Sequence, residues 1–307
     1  MRIRILGSSA GGGFPQWNCG CPNCRGVRAS TIRAKPRSQE SVAVSADGEH
    51  WYLLNASPDL RLQIESFPAL HPQGPRHSPI AGIALTSGDL DHCLGLLLLR
   101  ESQPLTVYAT ETVWRGLSQR NVFFRTLERF DGQLSWRRLD CDGAETQLVL
   151  DGKRPSGLSI AAFAAPGKPP IHLEGIEPKH SEENIGLRIR DDATDRVLAY
   201  VSGTGAITDR VYRALEDAQC VLFDGTFWSA TELVDLGLGD KRAEDMAHLP
   251  IGGAGGSLAA LRAIGARRRM FIHVNNTNPI LQEDSAEAEA VRRAGWEVAE
   301  DGMEIEL

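Results

Sequence analysis

The chain reads as an α/β (α+β) protein, one αββα sandwich over residues 1–307 with two sheets held between helices. Three observations predict it. Strand-like segments come first and give way to mixed strand and helix, and this order occurs twice. No internal repeat, low-complexity tract or linker divides the 307 residues. Apolar residues make up 42% and charged residues 24%, enough for one large core.

The elements follow from local pattern. Arg2–Leu6, Ser41–Ser45 and His50–Asn55 alternate or run apolar as strands, the last two joined by the Asp47-Gly48 turn. Gly82–Thr86 is an apolar strand that ends in the polar run Ser87 to His92, and the leucine-rich Cys93–Arg100 reads as a buried helix. Leu105–Ala109 is a strand and Glu111–Ser118 a helix. From about Cys141 to Ile171 short strands alternate with Pro and Gly loops, and Ala164–Pro170 reads as a mobile loop. Strands recur at Ile185–Arg190, Val197–Ser202, Cys220–Asp224, Met270–Val274 and Met303–Leu307. Helices are expected at Thr208–Gln219, with Thr208 as N-cap, and at Ser257–Ile264 and Ser285–Ala294.

Charge and hydropathy exclude several classes. A net charge of −7 argues against nucleic acid or an anionic membrane as partner. No apolar run approaches the roughly 18 residues of a membrane span. The opening Met1 to Leu6 alternates like a strand and lacks the apolar core of a secretory signal, so a cytoplasmic protein is expected. Its six cysteines then do not suggest a disulfide framework. Cys19, Cys21 and Cys24 crowd into six residues, and thiolates at that spacing can wrap one tetrahedral zinc, Pro22 and Asn23 favouring the tight turn.

Asp89-Leu90-Asp91-His92 is the strongest active-site signal, because two carboxylates and an imidazole meet at the C-terminal end of a buried strand. Such donors suit Zn, Fe or Mn. The same residues also suit a strand-to-helix turn in which Asp91 caps the helix. His180, His248 and His273 lie at or near strand ends or Gly-rich turns. The Gly-rich run Gly7 to Pro15, with Gly12 and Gly13, either approaches a ligand closely or only reverses the chain.

In order and spacing, these residues resemble the metallo-β-lactamase superfamily. Its His-x-His-x-Asp-His signature appears here as Ser87-x-Asp89-x-Asp91-His92, and its later histidines match His180, His248 and His273. Ser87 and Asp89 replace two histidines, and Gly203-Thr204-Gly205 stands where a bridging aspartate is expected. The resemblance thus implies a depleted two-metal site retaining Asp91, His92 and His273, with Asp89 nearby. In PhnP-like relatives a histidine completes the cysteine site; its position here is Asn276, which leaves the fourth zinc ligand open.

Longer words are similar to the PqqB family of pyrroloquinoline quinone (PQQ) biosynthesis: Leu6 to Cys19, Asn55-Ala56-Ser57-Pro58-Asp59, Asp224-Gly225-Thr226-Phe227-Trp228, Ile272 to Leu281, and the ending Asp301 to Leu307. That resemblance implies a small-molecule substrate derived from a cross-linked Glu–Tyr precursor. It also implies other proteins of the pathway as partners, with a homo-oligomer left open. Two imidazoles and one carboxylate suit Fe(II), with zinc as a substitute ion, and an O2-dependent hydroxylation of the tyrosine-derived ring. His180, His248 and Asp224 are then candidate catalytic groups for substrate binding or proton transfer, and Gly12, Gly13 and Ser87 candidate substrate contacts. A carrier with a vestigial metal site is the alternative, and the missing ligands disfavour a two-metal hydrolase. The substrate carboxylates need Arg or Lys, but the sequence does not choose among 33 of them.

Overall fold

The computed structural model describes residues 1–176 and 180–307. Its strands are β1 (Arg2–Gly7), β2 (Ser41–Ser45), β3 (Trp51–Leu54), β4 (Ile80–Ala84), β5 (Leu105–Ala109), β6 (Leu134–Arg138) and β7 (Thr146–Leu150). After these come β8 (Arg154–Ala164), β9 (Ile185–Asp191), β10 (Val197–Val201), β11 (Cys220–Asp224), β12 (Arg268–Ile272), β13 (Glu297–Val298) and β14 (Glu304–Glu306). They form two sheets of seven strands, ordered β14-β1-β2-β3-β4-β5-β6 and β13-β12-β11-β10-β9-β8-β7. Helices cover the outer faces, chiefly α1 (Pro22–Arg28), α2 (Leu60–Glu65), α3 (Leu90–Cys93), α4 (Glu111–Arg120), α5 (Asp209–Glu216) and α6 (Ala286–Arg293).

Strand alternation produces the layers. Val42 and Val44 of β2 face the second sheet, whereas Ala43 between them faces the helices. On β11, Cys220 and Leu222 enter the inter-sheet core while Val221 and Phe223 pack beneath α5 and α6. Each such side chain, fully buried, contributes roughly 1.5–3 kcal/mol. Thr208 caps α5 as expected, its hydroxyl accepting from the Val211 N–H.

Several boundaries differ from the sequence reading. The run after Cys93 is not an α-helix but a 3-10 segment, Leu94–Leu99, with Leu94 and Leu98 exposed. Within it Gly95 packs so close to Ser57 that a Cβ would sit 2.3 Å from the Ser57 carbonyl oxygen. The helix expected at Ser257–Ile264 is one turn, Ser257–Ala260. The Ala164–Pro170 segment, read as mobile, is fastened at its start: Ala165 N–H donates to Asn184 O at 3.1 Å, and Gly205 N–H donates to Pro166 O at 2.7 Å.

Four loops meet at one rim. β10, β11 and β12 run parallel, so the turns after them leave the sheet on the same edge. The turn after β4 arrives opposite them from the first sheet, where β3, β4 and β5 are also mutually parallel. No helix among the described residues is long and apolar enough to cross a membrane.

Candidate metal centre

The turn after β4 delivers Asp91 and His92. Asp89 is the residue before α3 and makes no capping bond with its side chain. Asp91 lies inside the first turn of α3 and is not its N-cap; its Oδ2 lies 3.1 Å from Nε2 of His273 and 4.0 Å from Nε2 of His92. His273 follows β12 with φ +59°, a left-handed conformation unusual for a histidine, which turns the ring toward Asp91. One donor atom from each of Asp91, His92 and His273 lies within 4.8 Å of the other two.

Hydrogen bonds fix which ring nitrogen is free. Nδ1 of His92 meets Ser87 Oγ at 2.9 Å and Thr86 Oγ1 at 3.2 Å. Each hydroxyl has another acceptor for its own proton: Ser87 donates to Asp89 Oδ2, Thr86 to Asn55 Oδ1. Nδ1 of His92 therefore carries the proton, and Nε2 presents a lone pair. That Nε2 is buried and has no hydrogen-bond partner, which is the signature of a ligand aimed at an ion. Thr226 does the same for His273, accepting from Nδ1 at 2.9 Å while donating to Asp224 Oδ1 at 2.7 Å. The donor set thus fits one metal ion.

The charges fit as well. Burial would raise the Asp91 carboxyl, but the His92 imidazole beside it and the hydrogen bond from His273 hold it well below the usual range. Burial alone would lower His273; the Asp91 carboxylate, with Asp224 and Glu40 behind it, outweighs this and raises the imidazole to about 9.

Asp224, His248 and His273 form a second group of donors within reach of one another. Nδ1 of His248 meets Asp224 Oδ2 at 2.8 Å, and the Thr226 hydroxyl sits among all three residues, 3.0 Å from that same Nδ1. A protein oxygen already occupies the centre. No carboxylate stands in the turn after β10, as expected; Asp224 of β11 bonds to that turn, its Oδ2 accepting from the Thr204 N–H at 2.9 Å.

A cavity of about 240 Å³ opens above these groups, lined by Asp89, Asp91, His92, His248 and His273. Ala10 and Gly11 reach it; Gly12 and Gly13, expected as substrate contacts, do not line it. Gly12 N–H is instead bound to Gln39 Oε1, and Gly11 passes so near Asp91 that a Cβ would lie 3.1 Å from Oδ2. Ser87 is buried behind His92 and orients it rather than facing the cavity. His180 is not brought to the cluster: the segment before β9 carries it to α4, where it is exposed and its Nδ1 lies 3.3 Å from Thr112 Oγ1.

The cysteines gather at the start of α1. Cys21 and Cys24 are buried, Cys19 partly so, and one sulfur from each lies within 4.8 Å of the others. The Asn276 amide faces all three, its Nδ2 lying 3.2 Å from Cys19, 3.7 Å from Cys21 and 3.3 Å from Cys24. Burial raises the Cys21 thiol to about 11; at Cys19 hydrogen bonds involving Cys21, Cys24 and Asn276 outweigh burial and lower it.

Comparison with known proteins identifies the family. The model of the beta-lactamase superfamily domain matches residues 50–274. Coenzyme PQQ synthesis protein B of Azotobacter vinelandii is 44% identical and that of Methylococcus capsulatus 46%, each alignment covering 100% of both chains. The crystal structure of Zn(2+)-bound PqqB from Methylobacterium extorquens superposes with a TM-score of 0.91 at 41% identity, over 100% of both chains. The chain belongs to the coenzyme PQQ synthesis protein B family. A diphosphatase of the PhnP family, at 20% identity and a TM-score of 0.68, shares the fold.

Three residues of this centre were not singled out from the sequence, although Thr226 lies within the word Asp224 to Trp228. Thr86 and Thr226 act through hydroxyls, which carry no spacing signature. Glu40 lies in the loop before β2, yet its Oε2 is 3.9 Å from Nε2 of His92. It is fully enclosed, bound by Asn55 Nδ2 at 3.0 Å and by the Tyr200 hydroxyl, and burial raises its carboxyl despite the nearby His92. A lone Glu inside Ser-Gln-Glu-Ser reads as a solvated loop; only the packing of the two sheets encloses it.

Proposed function

We propose that the chain acts in PQQ biosynthesis as an O2-dependent hydroxylase of the tyrosine-derived ring in the Glu–Tyr cross-linked precursor, with Fe(II) held by Asp91, His92 and His273. The observation that carries this reading is the set Asp91, His92 and His273, two imidazoles and one carboxylate with no protein oxygen among them, beside a second such group whose centre is filled by the Thr226 hydroxyl. Two-metal hydrolysis needs both positions; one ion with open coordination sites suits oxygen chemistry. A bound Fe(II) would supply activation of O2 at those open sites.

The chain's own groups account for the rest. Asp224 holds the Nδ1 proton of His248, which leaves Nε2 to exchange a proton with the ring hydroxyl of a bound substrate. His248 stacks on His273 with ring centroids 5.5 Å apart, so that nitrogen stays beside the metal position. Phe227 and Gly203 form part of the cavity wall beside it. Zinc at Cys19, Cys21 and Cys24, with the amide oxygen of Asn276 turned inward as fourth ligand, would tie the α1 loop to the loop carrying His273. The same reading includes a cytoplasmic location and partners within the pathway.

The test is anaerobic loading with Fe(II), addition of the cross-linked precursor, exposure to O2 with ascorbate as reductant, and mass analysis of the product. A gain of one oxygen atom that disappears in His92→Ala and His273→Ala supports the reading. No mass change, with tight binding of PQQ that survives both substitutions, overturns it in favour of a carrier.

A further inference from the structure

A precursor built from glutamate and tyrosine brings carboxylates into a cavity that already contains Asp89 and Asp91. Some cation must offset that charge. Among the described residues, Lys168 is the one lysine or arginine in the cavity wall. We propose that Lys168 is the carboxylate anchor of this site, the positioning residue that fixes an acidic substrate against the metal centre. This deepens the function proposed above and rests on it for the identity of the substrate.

The backbone around Lys168 is held, and its head group makes one partly exposed ion pair. Ala165 and Pro166 are bonded to Asn184 and Gly205, and Gly167 lies against Asn184 so closely that a Cβ would be 2.4 Å from the Asn184 Cβ. Asn184 is itself tied to Gly203 O through Nδ2 at 2.7 Å, so the segment is fastened to the turn after β10 at the metal rim. The Lys168 side chain, 29% exposed, ends on Glu174 Oε1 at 3.1 Å. Glu174 is more exposed still, at 44%, and a pair so open to water is weak. A substrate carboxylate is the same chemical group as the one Lys168 now holds, and it can replace Glu174 without creating a buried unpaired charge. Glu174 is then the internal competitor that occupies Lys168 while the site is empty of substrate.

The experiment measures binding of PQQ, a polycarboxylate, to the zinc-loaded full chain by tryptophan fluorescence, with metal content read by elemental analysis. Lys168→Gln should weaken binding by about tenfold to a hundredfold, as expected for loss of one charge-assisted contact. Lys168→Arg should retain most of the affinity, and Glu174→Gln should tighten binding severalfold by removing the competitor. Metal content should be the same in all four proteins. Unchanged affinity in Lys168→Gln, or no binding by the wild-type chain, overturns the proposal. So does a loss of metal together with affinity, because Lys168 would then act on the metal centre instead of the ligand. These readings need no turnover, so failure to detect hydroxylation leaves the binding result standing by itself. If hydroxylation is detected, Lys168→Gln should raise KM for the precursor by a similar factor.

Discussion

Replacing Thr226 with valine keeps the volume and removes one hydroxyl, yet that oxygen joins three functional residues. It donates to Asp224 Oδ1 at 2.7 Å and accepts from Nδ1 of His273 at 2.9 Å, with Nδ1 of His248 at 3.0 Å. The bond to the carboxylate is charge-assisted, and losing it alone costs about 1.5–3 kcal/mol. Asp224 Oδ1 keeps a second donor, the Thr226 N–H at 3.0 Å, which limits the loss there. His273 Nδ1 has no such reserve and is left buried and unsatisfied, adding about 1–3 kcal/mol. Thr226→Val should therefore destabilise the metal-free protein by about 3–5 kcal/mol in urea unfolding. Because the hydroxyl also sets the tautomer of His273, metal affinity measured against a competing chelator should fall about 10–100-fold. Thr226→Ser should restore most of both. A valine variant with wild-type stability and metal affinity would refute the assignment of Thr226 as the residue that orients His273.

Other consequences follow from the same geometry. In the metal-free protein, His273 rises from 6.5 unfolded to about 9 folded, so its stabilisation is complete below about pH 6.5. That stabilisation should disappear as pH climbs through about 9, and urea midpoints across that range check it; metal loading, which displaces the proton, should flatten the dependence. Cys21→Ala should lower bound zinc by one ion per chain and leave the ion at Asp91, His92 and His273 in place, as read by elemental analysis. His92→Ala should do the reverse. Leu222→Ala, at the centre of the inter-sheet core, should cost about 2–5 kcal/mol in urea unfolding without changing metal content.

How far the sequence could be read depended on the kind of signal. The strands of the inner core announce themselves because their apolar residues face cores on both sides, as in β2 and β11. The β6 strand escaped notice because it is a short edge strand with mostly exposed side chains, in which only Leu134 and Trp136 are apolar. Leu94–Leu99 looks helical by composition, yet it forms a 3-10 segment within which Gly95 packs close to Ser57. At the site, Asp91, His92 and His273 carried a spacing that could be matched, and the structure brings their donor atoms together. His180 matched equally well by spacing but lies elsewhere, because the path of the segment preceding β9 is set by tertiary contacts with α4. Lys168 was one of 33 equivalent cations until the fold placed it on the cavity wall.

The most direct test of the central claim is the origin of the oxygen atom in the product, measured by mass after Fe(II)-loaded protein turns over the precursor under 18O2 in ordinary water. One redox-active ion in the Asp91–His92–His273 set predicts that the new hydroxyl carries 18O. A product oxygen that comes from water would contradict it and restore hydration or hydrolysis as the chemistry of this site.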